Sequence, residues 1–471
     1  MAVFIACKFR REKVCDIKSS AKHYAGTFGD TVSDLCCDNS DGFASDRRAL
    51  IESGSLSTIA QAISTGTFHT VLLIAMGASD AYIGYIAMAA TLCMAMQFPA
   101  PLFWERLRTR KSLILGLGVF SELLTYIGLP CAVVLPVSTT WKLALFMILT
   151  LLTGCLNQFC LPARNAWTMQ CIPFSKRVSY TSLTSMINTV VNVISVFLAG
   201  LFLDTMEAQE LSIGTISPAM TAILILRALA CALAVASTLI LAIRVKESAY
   251  QAETSPTVNL SMLLLPLKNK RFFSIVLIPC LWAMASGIIG NYFTLHIIDN
   301  VHLSYTVISS ASLISTPMIL LVTPIWTKLL RRCNWLPTLA WAMLGYCLAY
   351  FCNVLISENS TYFYFIAIIV GHLFQPGVTM ITSNLIYVYM PEESRTAYFS
   401  FYSLLTTAFT LLGQGIGTLF VSMTVSVRFT LFGIPICNLQ LVSALAAGVG
   451  IVLACTIFAR KNSIRSDISV Q

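Results

Sequence analysis

The stretch Met390–Leu405 reads MPEESRTAYFSFYSLL, and a second version, IPFSKRVSYTSLTSMI, occupies Ile172–Ile187. At a constant offset of 218, Pro173 falls on Pro391, Arg177 on Arg395, Tyr180 on Tyr398, Ser182 on Ser400 and Ser185 on Ser403. The match does not stand alone. FWERLRTRK (103–111) aligns with IWTKLLRRC (325–333) at an offset of 222, which pairs Trp104 with Trp326, Arg106 with Lys328, Leu107 with Leu329 and Arg110 with Arg332. GCLNQ (154–158) aligns with GHLFQ (371–375) at 217. These matches fall in the same order at the same points of two halves, so the chain reads as a tandem duplication.

The medium of the repeated unit follows from composition. Of 471 residues, 57% are hydrophobic and 11% charged, with mean hydropathy +0.78. A soluble domain carries about 25% charged residues, so this chain cannot cover its surface in water. Its apolar material comes in runs of membrane-crossing length: 55–77, 80–103, 112–135, 141–163, 177–204, 217–244, 272–297, 305–328, 334–357, 361–390, 395–424 and 436–459. We number these spans 1 to 12. Helices are expected rather than strands, since they satisfy their own backbone in lipid and no ten-residue alternating segments occur. The expected fold is an all-α polytopic membrane protein, with twelve transmembrane helices in two pseudo-symmetric six-helix bundles.

The expected organisation is a polar, disordered cytoplasmic arm over 1–54, a bundle over 55–244, a cytoplasmic linker over 245–271, a second bundle over 272–459 and a tail over 460–471. The arm holds no apolar core followed by a small-residue cleavage site, so it does not read as a signal peptide. With alternate loops on opposite sides, one side collects 27 of the 30 Lys and Arg residues, and the other has Lys142 and Arg428. Such asymmetry puts both termini in the cytoplasm of the cell's inner or plasma membrane. It also explains the net charge of +9 as juxtamembrane charge facing anionic lipid, and nucleic acid is not expected as a partner. The sixteen cysteines include no CxxC pair, most lie inside spans as small apolar residues, and neither a disulfide framework nor a metal site is expected. No cofactor is expected, and a monomer is.

Twelve helices in two sixes, both ends inside, and a basic turn after spans 2 and 8 resemble the major facilitator superfamily over residues 50–460. The family's signature between helices two and three is a Gly, three residues, Asp, Arg, any, Gly, Arg, Arg/Lys turn. Here Glu105 stands for the acid and Arg106 for the first base, while Pro101 and Arg108 replace both glycines. The second copy has Thr327 in place of the acid. The resemblance implies a cytoplasmic gate built from Glu105, Arg106, Arg110, Lys328, Arg332, Arg177 and Arg395. The competing role for these residues is a positive-inside anchor. Markers of drug–proton antiporters, sugar porters and organophosphate exchangers are missing, so the resemblance leaves the substrate open.

In this fold spans 1, 4, 7 and 10 line a central cavity and 2, 5, 8 and 11 lie where the halves meet. The polar residues concentrate there: Gln61 and His69 in span 1, Asn157 and Gln158 in span 4, Asn188 and Asn192 in span 5, Trp282 and Asn291 in span 7, His372 and Gln375 in span 10, and Gln414 in span 11. Polar side chains in lipid are costly, so they should face the interior as substrate contacts. The alternative for each is a helix-to-helix hydrogen bond. Gln158 and Gln375 read as equivalent in the two halves and are expected on opposite walls of one cavity. Ionisable groups within the membrane are few: His69, Glu122, Arg227 and His372. Glu122 and Arg227, both near mid-membrane, are expected to meet, directly or through one polar side chain, in a structural pair.

The function expected is secondary transport of a small neutral or amphipathic solute by alternating access, with protons as a candidate coupling ion on His69 or His372. The competing class is a non-transporting membrane protein, such as a nutrient sensor or a lipid scramblase. A membrane enzyme should gather His, Asp and Glu at one face, and this chain does not, so no catalytic residue is expected.

Overall fold

The computed structural model describes residues 43–468 apart from 105–106, 108–109, 174–175, 211–216, 246–264, 331, 390–394 and 432. Eleven of its helices are long and apolar enough to cross a membrane. The twelfth pass, span 2, is interrupted: Asp80–Cys93, a 3-10 turn Met94–Gln97, then Ala100–Trp104. Pro99 and Pro101 lie at the interruption and lack the N–H that would continue the ladder. The chain begins several spans with side-chain caps. Ser79 accepts from the Tyr82 N–H, Ser217 from Met220 and Asn269 from Phe272, each satisfying one orphan donor of a first turn.

Span 1 starts earlier than the sequence pattern indicates. Its helix runs Ala44–Ala62, so residues 44–54 of the expected arm are helical. Ala49 and Leu50 are buried with Trp167, Cys171, Tyr180, Leu183 and Leu241, which belong to the ends of spans 4, 5 and 6 and the turn between spans 4 and 5. Asp46 and Arg47 are fully buried in the same region. Their charge makes this turn read as solvent-exposed chain, whereas it wedges between three helix ends. Burial, with the Asp46 carboxylate nearby, pushes the Cys171 thiol up to about 11.

The first helix of each half breaks at a glycine. Span 1 resumes as Thr67–Ala75 after Gly66 (φ +58°), and span 7 stops at Ile289, passes Gly290 (φ +45°) and resumes at Tyr292. Positive φ is open to glycine without a Cβ clash. Neither break is marked by a proline, so in the sequence both spans read as continuous helix.

The helix contacts repeat between halves. Spans 1 and 5, 1 and 6, 3 and 4, 3 and 6, and 2 and 4 adjoin in the first half, as do 7 and 11, 7 and 12, 9 and 10, 9 and 12, and 8 and 10 in the second. The two aligned tryptophans make the same bond. Trp104 Nε1 donates to the Phe159 carbonyl at 2.7 Å, and Trp326 Nε1 to the Leu373 carbonyl at 2.8 Å. In both halves the accepting carbonyl lies three residues before an in-helix proline, Pro162 or Pro376. That registers span 4 on span 10 at an offset of 214, not 217. The structural counterpart of Gln158 is therefore His372, and Gln375 lies one turn on.

We call the end that carries the Lys- and Arg-rich loops the basic end, and the other the far end. Span 5 meets span 8 and span 2 meets span 11, the four spans that the family resemblance sets where the halves meet. These contacts are anchored at the far end. Asp204 of span 5 accepts from the Tyr305 and Thr306 backbone N–H groups, the first turn of span 8, at 2.8 and 2.7 Å. One turn earlier Gly200 lies against Tyr305 and Ser309, where a Cβ would collide with the Tyr305 carbonyl. Gly84 of span 2 likewise leaves room for the Tyr292 hydroxyl, which donates to Thr418 at 2.9 Å. Beyond span 11 a short hairpin, β1 (Arg428–Leu431) with β2 (Ile434–Cys437), closes the far-end loop through Gly433.

Candidate functional site

The break in span 7 opens one side of a cavity of about 440 Å³ between spans 7, 9 and 10. Ile289 and Gly290, at the break itself, line this space. Span 10 contributes His372, Gln375 and Thr379, which share one helical face at spacings of three and four. Span 9 contributes Tyr346, Tyr350 and Asn353, again on one face, and span 7 contributes Trp282. The aromatic rings form an edge-to-face ladder: Trp282 and Tyr346 at 5.6 Å between centroids, Tyr346 and Tyr350 at 5.1 Å. None of the described lining residues is Asp, Glu, Lys or Arg.

The His372 ring has one fixed bond. Its Nδ1 lies 2.8 Å from the Ile368 carbonyl. A carbonyl only accepts, so the proton is on Nδ1 and Nε2 is left as an acceptor. Gln375 lines the same cavity, half-buried. Of the polar residues singled out in the sequence, these two and Trp282 share this space. Asn291 lies in the break of span 7, just before Tyr292–Leu295.

The others are elsewhere. Gln158 accepts from the Gln97 side chain across spans 4 and 2, so its amide is engaged within the first half. It does not face Gln375 at equal depth. The five-residue motif that suggests so can slide by almost one helical turn without changing face. Gln61 is exposed and donates to Ser57 at 3.4 Å. Asn157 and Asn192 are exposed and Asn188 is half-buried. Gln414 has a buried side-chain oxygen with no partner among the described residues.

His69 is bound inside the first half. Arg227 donates to its Nδ1 at 3.2 Å and to the Thr125 carbonyl at 3.3 Å, and the His69 ring leans on Phe146 at 5.6 Å. Glu122 and Arg227 do not meet directly, although Tyr126 interacts electrostatically with both. Glu122 instead accepts from Thr238 at 3.2 Å. Thr238 lies eleven residues beyond Arg227 on span 6, about 16 Å at 1.5 Å per residue. Both charges are near mid-span in sequence, but the register of span 3 on span 6 sets them at different depths. Arg227 is 2% exposed and is met by a neutral ring and a carbonyl.

At the basic end the arginines cap helices. Arg177 donates to the carbonyls of Ile172 and Met169 at 3.2 Å each, closing the end of span 4. Lys111 reaches the Ala242 and Val245 carbonyls at the end of span 6, both at 2.7 Å. Cations favour this helix end, where partial negative charge gathers. Arg110 is buried and donates to Leu107 at 3.2 Å. Lys328 and Arg332 are exposed at the end of span 8, and Arg395 opens span 11. Glu105 and Arg106 lie outside the described residues.

Sequence reasoning missed the span 9 wall and Asp204. Span 9 belongs to neither the cavity set nor the interface set that the resemblance implies, although Tyr346, Tyr350 and Asn353 at i, i+4 and i+7 already trace a stripe. Asp204 was hidden because its partner is backbone, which no side-chain pattern reports.

Comparison with known proteins agrees with this architecture. The family described as Major Facilitator Superfamily matches residues 53–414. A search of curated proteins gives no match. Among solved structures, a point mutant of the nucleoside transporter NupG is similar at TM-score 0.65 and 16% identity, covering 88% of this chain and 99% of its own. A bacterial homolog of the human lysosomal transporter Spinster, inward-facing and occupied, gives 0.63 and 15%, covering 88% and 96%. A bacterial homologue of the iron transporter ferroportin, inward-facing, gives 0.61 and 14%, covering 88% and 98%. At such identities the structures share the fold alone. The match over most of the length, with two six-helix halves that meet through spans 2, 5, 8 and 11, shows that this multi-pass membrane protein belongs to the major facilitator superfamily of transporters.

Proposed function

We propose that the chain is a secondary active transporter that moves a small uncharged or amphipathic solute across the cytoplasmic membrane by alternating access. The basic end faces the cytoplasm on this reading, because Lys and Arg loops are retained on that side. The halves are latched at the far end through Asp204, so access from that side is closed. The observation that carries the solute class is the cavity at Gly290, which combines an aromatic wall with His372, Gln375 and Asn353 and has no fixed charge among its described lining residues. A charged solute entering it would lose hydration with no ion to replace it. His372 is the proposed coupling residue, since its Nε2 is left as an acceptor at the cavity.

The test is transport in proteoliposomes, with labelled uncharged solutes and an imposed pH gradient. Gradient-dependent accumulation should appear with the native chain and vanish with Gln375→Leu at unchanged thermal stability. Accumulation that ignores the gradient would remove proton coupling. Solute binding without movement across the bilayer would favour a sensor instead.

A further inference from the structure

We propose that the cavity between spans 7, 9 and 10 selects a planar, uncharged ring that carries hydrogen-bonding groups along one edge. This rests on the cavity being the substrate site. The two walls differ in kind. On one side Trp282, Tyr346 and Tyr350 make an edge-to-face ladder, at 74° between the first two planes and 88° between the second two. In an edge-to-face pair, the ring that presents its edge keeps both faces for another aromatic neighbour. On the other side His372, Gln375 and Thr379 follow one face of span 10.

A flat ring can lie on the first wall and turn its polar edge to the second. The His372 Nε2 then accepts one hydrogen bond, and the Gln375 amide offers two donors and an acceptor. A saturated polyol carries hydroxyls all around, and those against the ring ladder would be left unpaired, which penalises it. The cavity volume lies in the range of small-molecule sites. Gly371, on the same span, faces this space, and a Cβ there would rest at 3.7 Å from Ala349 and 3.9 Å from Tyr346. Those are ordinary contacts, so a larger side chain at 371 fills the cavity without displacing backbone.

The experiment measures equilibrium binding to the purified full chain in lipid nanodiscs. Indole, nicotinamide and uracil serve as planar uncharged probes, mannitol and sucrose as saturated uncharged probes, and benzoate and benzyltrimethylammonium as charged rings. At least one planar uncharged probe should bind, and Gly371→Leu should weaken it tenfold or more. Gly371→Ala, the conservative step, should fold with native thermal stability and weaken it by a smaller factor. Binding of mannitol or sucrose, or of a charged ring, that is stronger than any planar neutral probe and equally sensitive to residue 371 would overturn the ring class and leave the site standing. Ring binding indifferent to both variants would overturn the site as well. Failure of every planar probe to bind overturns the proposal.

Discussion

Replacing Asp204 by alanine should open the far end. The carboxylate spans the two halves and accepts two backbone N–H groups in the first turn of span 8, at 2.8 and 2.7 Å. That is a helix cap supplied by the opposite half, and it is lost whenever spans 5 and 8 part. A hydrogen bond to a charged group contributes about 1.5–3 kcal/mol, and the positive end of the helix dipole adds a further 0.3–1 kcal/mol, approximately. Two discounts apply. Asp204 is half-buried, so solvent competes for it, and in the open state water takes over both partners. A net bias of about 2 kcal/mol toward the closed far end remains, which corresponds to roughly thirtyfold in the ratio of the two states.

The assay is a pulsed electron-spin distance measurement between labels at Val137→Cys and Glu358→Cys, in a cysteine-free background. Both positions are exposed at the far end, one in each half. The native chain should show one dominant short distance, and Asp204→Ala a longer population grown by ten- to a hundredfold relative to it. Asp204→Asn, which keeps one acceptor without the charge, should fall between. An unchanged distance distribution in Asp204→Ala, in protein of native thermal stability, would refute the latch.

His69 and Arg227 should be energetically coupled and Glu122 should not. A double-mutant cycle with His69→Ala and Arg227→Met, read as thermal stability, should show an interaction of about 0.5–3 kcal/mol, whereas Glu122→Gln should add independently to Arg227→Met. Gly417→Ala should prevent assembly of spans 7 and 11, because a Cβ there runs into the Ile288 carbonyl, while Gly116→Ala, with nothing within 4 Å, should express normally; yield of monodisperse protein decides between them. A single Cys333, exposed after span 8, should react with a membrane-impermeant maleimide in inverted vesicles and not in intact cells. Labelling in intact cells would reverse the orientation argued above.

The duplication and the number of passes were legible because they rest on composition, length and aligned residues, and the place of spans 2, 5, 8 and 11 between the halves followed from the family resemblance. Trp104 and Trp326 show how far that reaches. Their alignment predicts equivalent places, and each makes the same indole-to-carbonyl bond. What the sequence did not contain was depth. Apolar runs have soft ends, so the first turn of span 1, with Asp46 and Arg47, reads as solvent-exposed. The same softness places Glu122 and Arg227 at one level when the packing of span 3 on span 6 separates them.

The pairing of Gln158 with Gln375 failed for a related reason, and the failure is informative about the site. A helix keeps nearly the same face after three or four residues, so a Gly-x-Leu-x-Gln match cannot fix which turn is equivalent. The prolines can, because each sits at a fixed distance from the carbonyl its tryptophan uses. With that register, Gln158 and His372 hold corresponding positions and have diverged. In the first half the position is a glutamine tied to Gln97; in the second it is a histidine with one free nitrogen in a cavity. The repeated architecture of the fold therefore coexists with an asymmetric pair of walls. The second half lines the described cavity with the aromatic ladder and the His372 ring, while the first half uses its equivalent polar group to hold spans 2 and 4 together. Exchanging Gln158 for histidine should then leave solute binding unchanged, whereas His372→Leu should weaken it, because the cavity loses the Nε2 acceptor. The opposite result would return the site to the first half.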